Sequence, residues 1–310
     1  MLIKIRDAVP LYGTASFLSK GDALEKLIIT VRQNEWMKRG PNPNIPYTPD
    51  EIAEDAAACR AAGAAITHVH ARTPDGGRSN SPELYAEIAR KIREKSDILV
   101  HTTLGNIHNA GADEKRLAHV IEAKPDMASI DIGSNNTDRY LAAEKRFQTT
   151  DQAYVNTIGS CLNFARTMKS INVKPLIACW SVPFLRAVDA FLDLGEFVEP
   201  AMVNLVLCEG GIIGGHRGTS DGLSAFFHAL PPSGKAVWTV CVKKGNILPV
   251  AALAIERGGH LSPGLGDYHY PELGYPTNAE LVKFIAGMAK AMGRDIATPE
   301  EARCILNMKK

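Results

Sequence analysis

Ala65-Ile66-Thr67-His68-Val69-His70-Ala71-Arg72 reads as a short β-strand that ends on chemistry. Its β-branched residues favour an extended chain, and side chains two apart on a strand share a face, so His68 and His70 point the same way. Similar runs recur on both sides of it: LIITVRQN from Leu27, ILVHTTLG from Ile98, MASIDIGS from Met127, PLIACW from Pro175, MVNLVLCE from Met202, AVWTVCV from Ala236 and HLSPGLGD from His260. Helical patterns separate them, with starts marked by Thr48 before Pro49 and Glu51, Ser81 before Pro82, Asp221 before an apolar stretch, and Thr277 or Asn278 before Ala279. Alternating strands and helices give a parallel sheet, because each parallel crossover needs a covering helix.

Eight such units close into a barrel or spread as an open doubly wound sheet. The open sheet usually carries a GxGxxG fingerprint after its first strand, and none follows LIITVRQN. The expectation is therefore an α/β fold of the (β/α)8 TIM-barrel type. Residues 27–310 form its single catalytic domain, residues 1–26 an N-terminal extension, and Pro299 to Met308 a last packing helix. At roughly 150 residues per domain the length of 310 suggests two domains, but one barrel commonly fills it.

Composition narrows the function classes. Apolar residues at 45% and charged residues at 22% supply enough surface for one large core. Lys plus Arg at 35 against Asp plus Glu at 34 leaves a charge of +1 with no basic block, so nucleic acid is not an expected partner. No window reaches the roughly eighteen uninterrupted apolar residues of a membrane span. The six cysteines are scattered without a CxxC pair and no signal sequence stands at the start, which implies a reducing, cytoplasmic location.

In a barrel the reacting groups come from the carboxyl ends of strands. Four ends are loaded: Asn34 and Glu35, His68 and His70, Thr102 and Thr103, and Ser262 to His269. Two imidazoles on one strand face suit one divalent metal such as zinc, although one can instead pack while the other caps a turn. Glu35 reads as a third ligand, a base or a plain carboxylate at a strand exit. Gly210, Gly211, Gly214, Gly215 and Gly218 form a loop that either cradles an anion with its amides or acts as a mobile lid. Gly218-Thr219-Ser220-Asp221-Gly222 matches GxSxG, but a nucleophile elbow needs a strand directly before the serine; Ser220 and Asp221 are expected to cap a helix starting at Leu223. Cys208 and Cys241 close their strands as nucleophiles, soft ligands or small core residues.

Asn42-Pro43-Asn44-Ile45-Pro46-Tyr47-Thr48-Pro49-Asp50-Glu51, followed by Ala62-Gly63-Ala64 leading into His68-Val69-His70-Ala71-Arg72, resembles the β-keto acid cleavage enzymes, a group that includes 3-keto-5-aminohexanoate cleavage enzyme. Lys124 to Ser129, Trp238 to Val240, Gly258 to His260 and Gly293 to Glu300 resemble further segments of the family in the same order, over residues 27 to 308. The resemblance implies a zinc-dependent barrel, often tetrameric, that converts a β-keto acid and acetyl-CoA into acetoacetate and a new acyl-CoA. It implies His68 and His70 as metal ligands, Thr102 and Gly105 in the loop holding the keto acid carboxylate, Ser129 as a polar contact and Asp267 as base; Glu35, from its place at a strand exit, is expected to be catalytic as well. The glycine loop after Glu209 is expected to meet the thioester arm.

Three positions depart from the family pattern. Gly266 stands where a glutamate completes the zinc site, Ser262 where an arginine is expected, and Ala178 where a glutamate lies in the fifth strand. A glycine donates nothing to a metal, so zinc takes a ligand from elsewhere, with Glu35, Glu209, Asp267 and His269 as candidates, or binds weakly, or is absent. Zinc or another divalent ion is the expected cofactor, acetyl-CoA the co-substrate and a homo-oligomer the expected assembly. Two other readings stay open: aldolase-type cleavage or hydrolysis without CoA, and a metal-free paralogue that binds without catalysis.

Overall fold

The computed structural model describes residues 24–104, 112–232 and 234–309. Among them, eight parallel strands form one sheet: β1 (Thr30–Arg32), β2 (Ile66–Val69), β3 (Leu99–Thr102), β4 (Met127–Asp131), β5 (Lys174–Cys179), β6 (Ala201–Cys208), β7 (Ala236–Lys243) and β8 (His260–Leu261), each hydrogen-bonded to the next in chain order. A parallel bridge between Ile29 and Leu261 joins the last strand to the first, so the sheet closes as a TIM barrel. Most of the expected N-terminal extension and Gly105 lie outside the described residues.

Helices α1 (Pro49–Ala62), α2 (Pro82–Lys95), α3 (Asp113–Ala123), α4 (Ile158–Ser170), α5 (Val182–Asp193), α6 (Ser220–Phe227), α7 (Leu248–Glu256), α8 (Asn278–Ala291) and α9 (Pro299–Ile305) cover the strands. Thr48, Thr277 and Thr298 close capping boxes with glutamates three residues on, satisfying amide groups that a helix start leaves open. α6 begins earlier than expected: Thr219 is its cap, accepting from the Gly222 amide, so Ser220 and Asp221 lie inside the helix.

Period-two alternation sorts the strand residues into two cores. Val31, Val69, Val100, Ile130, Ile177, Leu205 and Val240 face outward and pack under the helices. Ile28, Ile66, Leu99, Met127, Leu176 and Met202 face inward as the lowest barrel layer, which Ala302 of α9 and Leu306 seal from below. The interior is thus filled at its amino end, and the polar inward residues concentrate at the carboxyl end. There the chain between β4 and α4 adds an excursion of two short antiparallel pairs, Asn135–Asn136 with Ala153–Tyr154 and Tyr140–Leu141 with Arg146–Phe147.

Candidate active site

The site begins with the alternation of β1, which turns Thr30 and Arg32 inward. Beyond the strand, Glu35 adopts a left-handed backbone at φ 37°, rare for a residue with a side chain. Arg72 holds that turn by donating to the carbonyls of Asn34 (3.2 Å), Glu35 (2.8 Å) and Met37 (3.1 Å). The Asn34 amide clamps the turn to β2, accepting from the His70 amide at 3.0 Å and donating to the His70 carbonyl at 3.0 Å. Strain that is overdetermined in this way is characteristic of functional sites.

Glu35 consequently reaches back over the barrel. Its Oε1 lies 3.0 Å from His68 Nε2 and its Oε2 3.2 Å from His70 Nε2, and the two Nε2 atoms are 3.1 Å apart. All three side chains are buried, and their donor atoms converge closely enough to hold one metal ion. Burial pushes the His68 imidazole down to about 3 despite the carboxylate beside it, and lowers His70 in the same direction. Both rings are therefore neutral near pH 7 and offer lone pairs.

Behind His68 stands His101, which the sequence reading missed. Its Nδ1 is 3.1 Å from His68 Nδ1 and its Nε2 3.0 Å from Ser129 Oγ. If His68 presents the Nε2 lone pair, its Nδ1–H donates to His101, whose Nε2–H then donates to Ser129. That is how outer partners orient a ligating imidazole. Ser129 thus takes part in the site through His101. Thr102 does not join it: it stands in register with Val69 and Ala128, which belong to the outer core, so its side chain faces the helices. The next residue, Thr103, has the inward phase, and the expectation for Thr102 is corrected accordingly.

Two cations bind the carboxylates together, and neither was singled out in the sequence. Arg32 donates from Nε to Asp267 Oδ2 at 2.6 Å and from its other end to Glu35. Lys243, at the end of β7, lies 3.3 Å from Glu35 Oε2. Burial raises the Glu35 carboxyl, but the charges of Arg32 and Lys243 beside it outweigh this and hold Glu35 well below the ordinary carboxylate range. Asp267 moves the other way: burial dominates over Arg32, and its affinity for a proton rises.

Gly266 explains how Glu35 fits. A Cβ at this position would lie 2.6 Å from the Glu35 nitrogen and 2.8 Å from its Cγ, so the absence of a side chain there makes room for Glu35. The Gly266 amide donates to the Arg32 carbonyl at 3.0 Å, fixing the segment before Asp267 against β1. Ser262 is buried and donates to the Thr30 carbonyl at 3.3 Å, leaving Arg32 as the guanidinium beside Asp267.

The opposite side of the mouth is apolar, formed by Ala178, Trp180, Val206, Cys208 and Cys241. Burial pushes the Cys241 thiol up to about 11 and Cys208 still further, so both are neutral packing residues. Asp131 marks the boundary, accepting from Trp180 Nε1 at 2.6 Å and from the Tyr154 hydroxyl at 2.9 Å. Of the other candidate ligands, Glu209 accepts from the Gly218 amide at 2.9 Å; neither it nor His269 belongs to the converging donor group.

The model of the beta-keto acid cleavage enzyme family matches residues 26–308. The 3-keto-5-aminohexanoate cleavage enzyme of Acetoanaerobium sticklandii is 33% identical over 93% of this chain and 100% of its own length. The 3-dehydrocarnitine:acetyl-CoA trimethylamine transferase of Rhizobium meliloti is 29% identical, covering 86% of this chain and 91% of the relative. Among solved structures, the binary complex of ObcA with oxaloacetate superimposes with a TM-score of 0.67 at 14% identity, over 86% of this chain and 68% of that one, a likeness of fold. With the family model spanning nearly the whole barrel, the chain belongs to the β-keto acid cleavage enzymes.

Proposed function

We propose that this protein is a metal-dependent enzyme that cleaves a β-keto acid by exchange with acetyl-CoA, yielding acetoacetate and a new acyl-CoA. The observation that carries the reading is the convergence of Glu35, His68 and His70 beside Asp267. The relatives' names point the same way, since several specify transfer to or from acetyl-CoA.

Zinc or another divalent transition metal fits the donor set of one carboxylate and two neutral imidazoles, and when bound supplies Lewis acidity that polarises the keto oxygen. Gly266 does not count against this, because Glu35 occupies the space a side chain there would need. That weakens the metal-free reading, whose main support was the missing glutamate.

Asp267, with its raised proton affinity, takes a proton from the carbon between the keto and carboxylate groups. Arg32 and Lys243 hold the surrounding charge in balance and stabilise negative charge on the substrate oxygens. The carbanion attacks the acetyl carbonyl of the thioester and displaces CoA thiolate. The thiolate then attacks the original keto carbon, and the bond to its neighbouring carbon breaks. The acyl group leaves on sulfur, and acetoacetate recovers the proton from Asp267.

The tail of the keto acid would extend toward Ala178, Trp180 and Val206, which favour an uncharged substituent. Asp131 borders this wall, with one oxygen accepting from Trp180 and the other from Tyr154. The decisive assay incubates the protein with acetyl-CoA and a panel of β-keto acids and measures acetoacetate. Cleavage that proceeds equally without acetyl-CoA would favour a lyase or hydrolase.

A further inference from the structure

The excursion between β4 and α4 and the glycine loop after β6 meet at the barrel mouth. The Tyr140 amide donates to the Gly211 carbonyl at 2.8 Å, Arg139 Nε donates to the Gly210 carbonyl at 2.9 Å, and Arg139 bridges Ile212 in antiparallel fashion. Gly211 has φ 84°, and a Cβ on it would strike the Tyr140 carbonyl, so the close crossing requires glycine there. Between the two segments lies a cavity of about 680 Å³, within the size range of small-molecule sites.

Its walls include Arg139, Tyr140, Glu144, Cys208, Glu209 and Arg217. The acids are already engaged, Glu144 with Arg146 and Glu209 with the Gly218 amide. The cations are less satisfied. Among the described residues the Arg217 side chain has no hydrogen-bond or ion-pair partner. One wall residue stands beside the reacting groups: Cys208 is in register with Lys243, which contacts Glu35, and Gly215 lies so close that a Cβ would come within 2.6 Å of Cys208 Sγ.

We propose that this cavity seats the phosphate-bearing arm of the CoA thioester, with Arg139 and Arg217 facing the phosphates and the sulfur end directed past Cys208 toward Lys243 and Asp267. The proposal rests on the reading above that a CoA thioester is the co-substrate. It goes further by assigning the phosphate end to residues outside the metal-binding group. A guanidinium suits phosphate because its planar fork can donate two parallel hydrogen bonds. A site with two arginines, neither of them paired with a carboxylate, fits a polyanion better than a neutral ligand.

The test compares CoA with pantetheine, which keeps the thiol arm and lacks every phosphate. Calorimetry should give wild-type protein an affinity for CoA that Arg217→Glu lowers at least about tenfold, and that Arg139→Ala lowers as well. Because Arg139 also ties down the glycine loop, Arg217 is the cleaner site. In turnover, the ratio of kcat/KM for acetyl-CoA to that for S-acetylpantetheine should fall about tenfold in Arg217→Glu. An unchanged ratio together with unchanged CoA affinity in both variants overturns the proposal while leaving the co-substrate reading standing. A wild-type protein that neither binds CoA nor forms acetoacetate with any keto acid removes both.

Discussion

On the side of β1, β2 and the segment after β8, the barrel mouth is crowded with charge: Arg32, Glu35, Asp267 and Lys243 stand around His68 and His70, and each is held by another. On the side of β5 and β6 it is lined by Ala178, Trp180, Val206 and Cys208, which meet one another only by packing. Substitutions in the charged half are coupled, because removing one member leaves a buried partner uncompensated, which commonly costs several kcal/mol. In the apolar half Ala178 and Val206 can change without stranding a charge, whereas Trp180 also donates to Asp131. On the proposed reading, the reaction chemistry is tied to the half that tolerates least, and substrate choice to the half that tolerates most.

The largest expected effect comes from breaking the charged half at its ligands. His70→Ala leaves two donors, and two ligands seldom hold zinc tightly; metal measured on protein purified without chelators should drop below about a tenth of an equivalent, and activity by at least about a hundredfold. Glu35→Ala should do the same. If Glu35→Ala retains a full equivalent of metal, the third ligand lies elsewhere and the role assigned to Gly266 fails.

The support of the charged half can be tested through pH. Asp55 of α1 accepts from the Asn278 side chain at 2.9 Å, and the same Asn278 amide donates to the Gln33 carbonyl while its oxygen accepts from the Leu265 amide. This side chain joins the ends of β1 and β8 behind the site. Burial pushes Asp55 up to about 7 from its ordinary 3.8. Between those values the folded chain keeps a proton that the unfolded chain has lost, so the contribution to stability is full below pH 4 and is lost as pH rises through 7. A shift of that size corresponds to at most about 4 kcal/mol. Asp55→Asn should therefore gain stability relative to wild type between pH 5 and pH 8 in urea unfolding. A difference that stays constant over that range would show that Asp55 is ionised throughout.

Gly266→Ala probes the same half by crowding. The added Cβ would meet backbone as well as the Glu35 side chain, so neither can step aside cheaply. A loss of about 1–3 kcal/mol of stability is expected, with weakened metal binding. Gly287 is a control, since nothing lies within 4 Å of a Cβ placed there in α8, and Gly287→Ala should be neutral or slightly stabilising. Equal effects at the two glycines would mean that Glu35 does not depend on the space at 266.

Much of this was legible from the chain. The eight strands follow from β-rich runs at regular spacing, and α1 and α8 from Thr48 and Thr277 placed before Glu51 and Glu280. His68, His70, Glu35 and Asp267 stood out because each follows or ends a strand. Arg32, His101 and Lys243 did not, although their phase on β1, β3 and β7 is the inward one; which inward residues meet depends on the closure and stagger of the barrel, a property of all eight strands together. Thr102 shows how fine the margin is, since a shift of one residue on a strand exchanges the barrel interior for the helix layer. The excursion after β4 was invisible because its paired segments are only two residues long and carry no periodicity.

The smallest expected effect lies in the apolar half. Ala178 is in register with Asp131, so both side chains share the inward face, and a carboxylate at 178 would add a second negative charge to this wall for a cationic tail to meet. Wild-type protein should prefer keto acids with short uncharged tails to those bearing an ammonium group. Ala178→Glu should shift the ratio of their kcat/KM values by about tenfold toward the ammonium substrate, the scale of one partly solvated charge pair. The charged half should be untouched, so metal content ought to stay at the wild-type level, and that separates a change of specificity from damage to the site. A ratio that does not move would place the tail outside the Ala178–Trp180 wall and break the division of labour between the two halves.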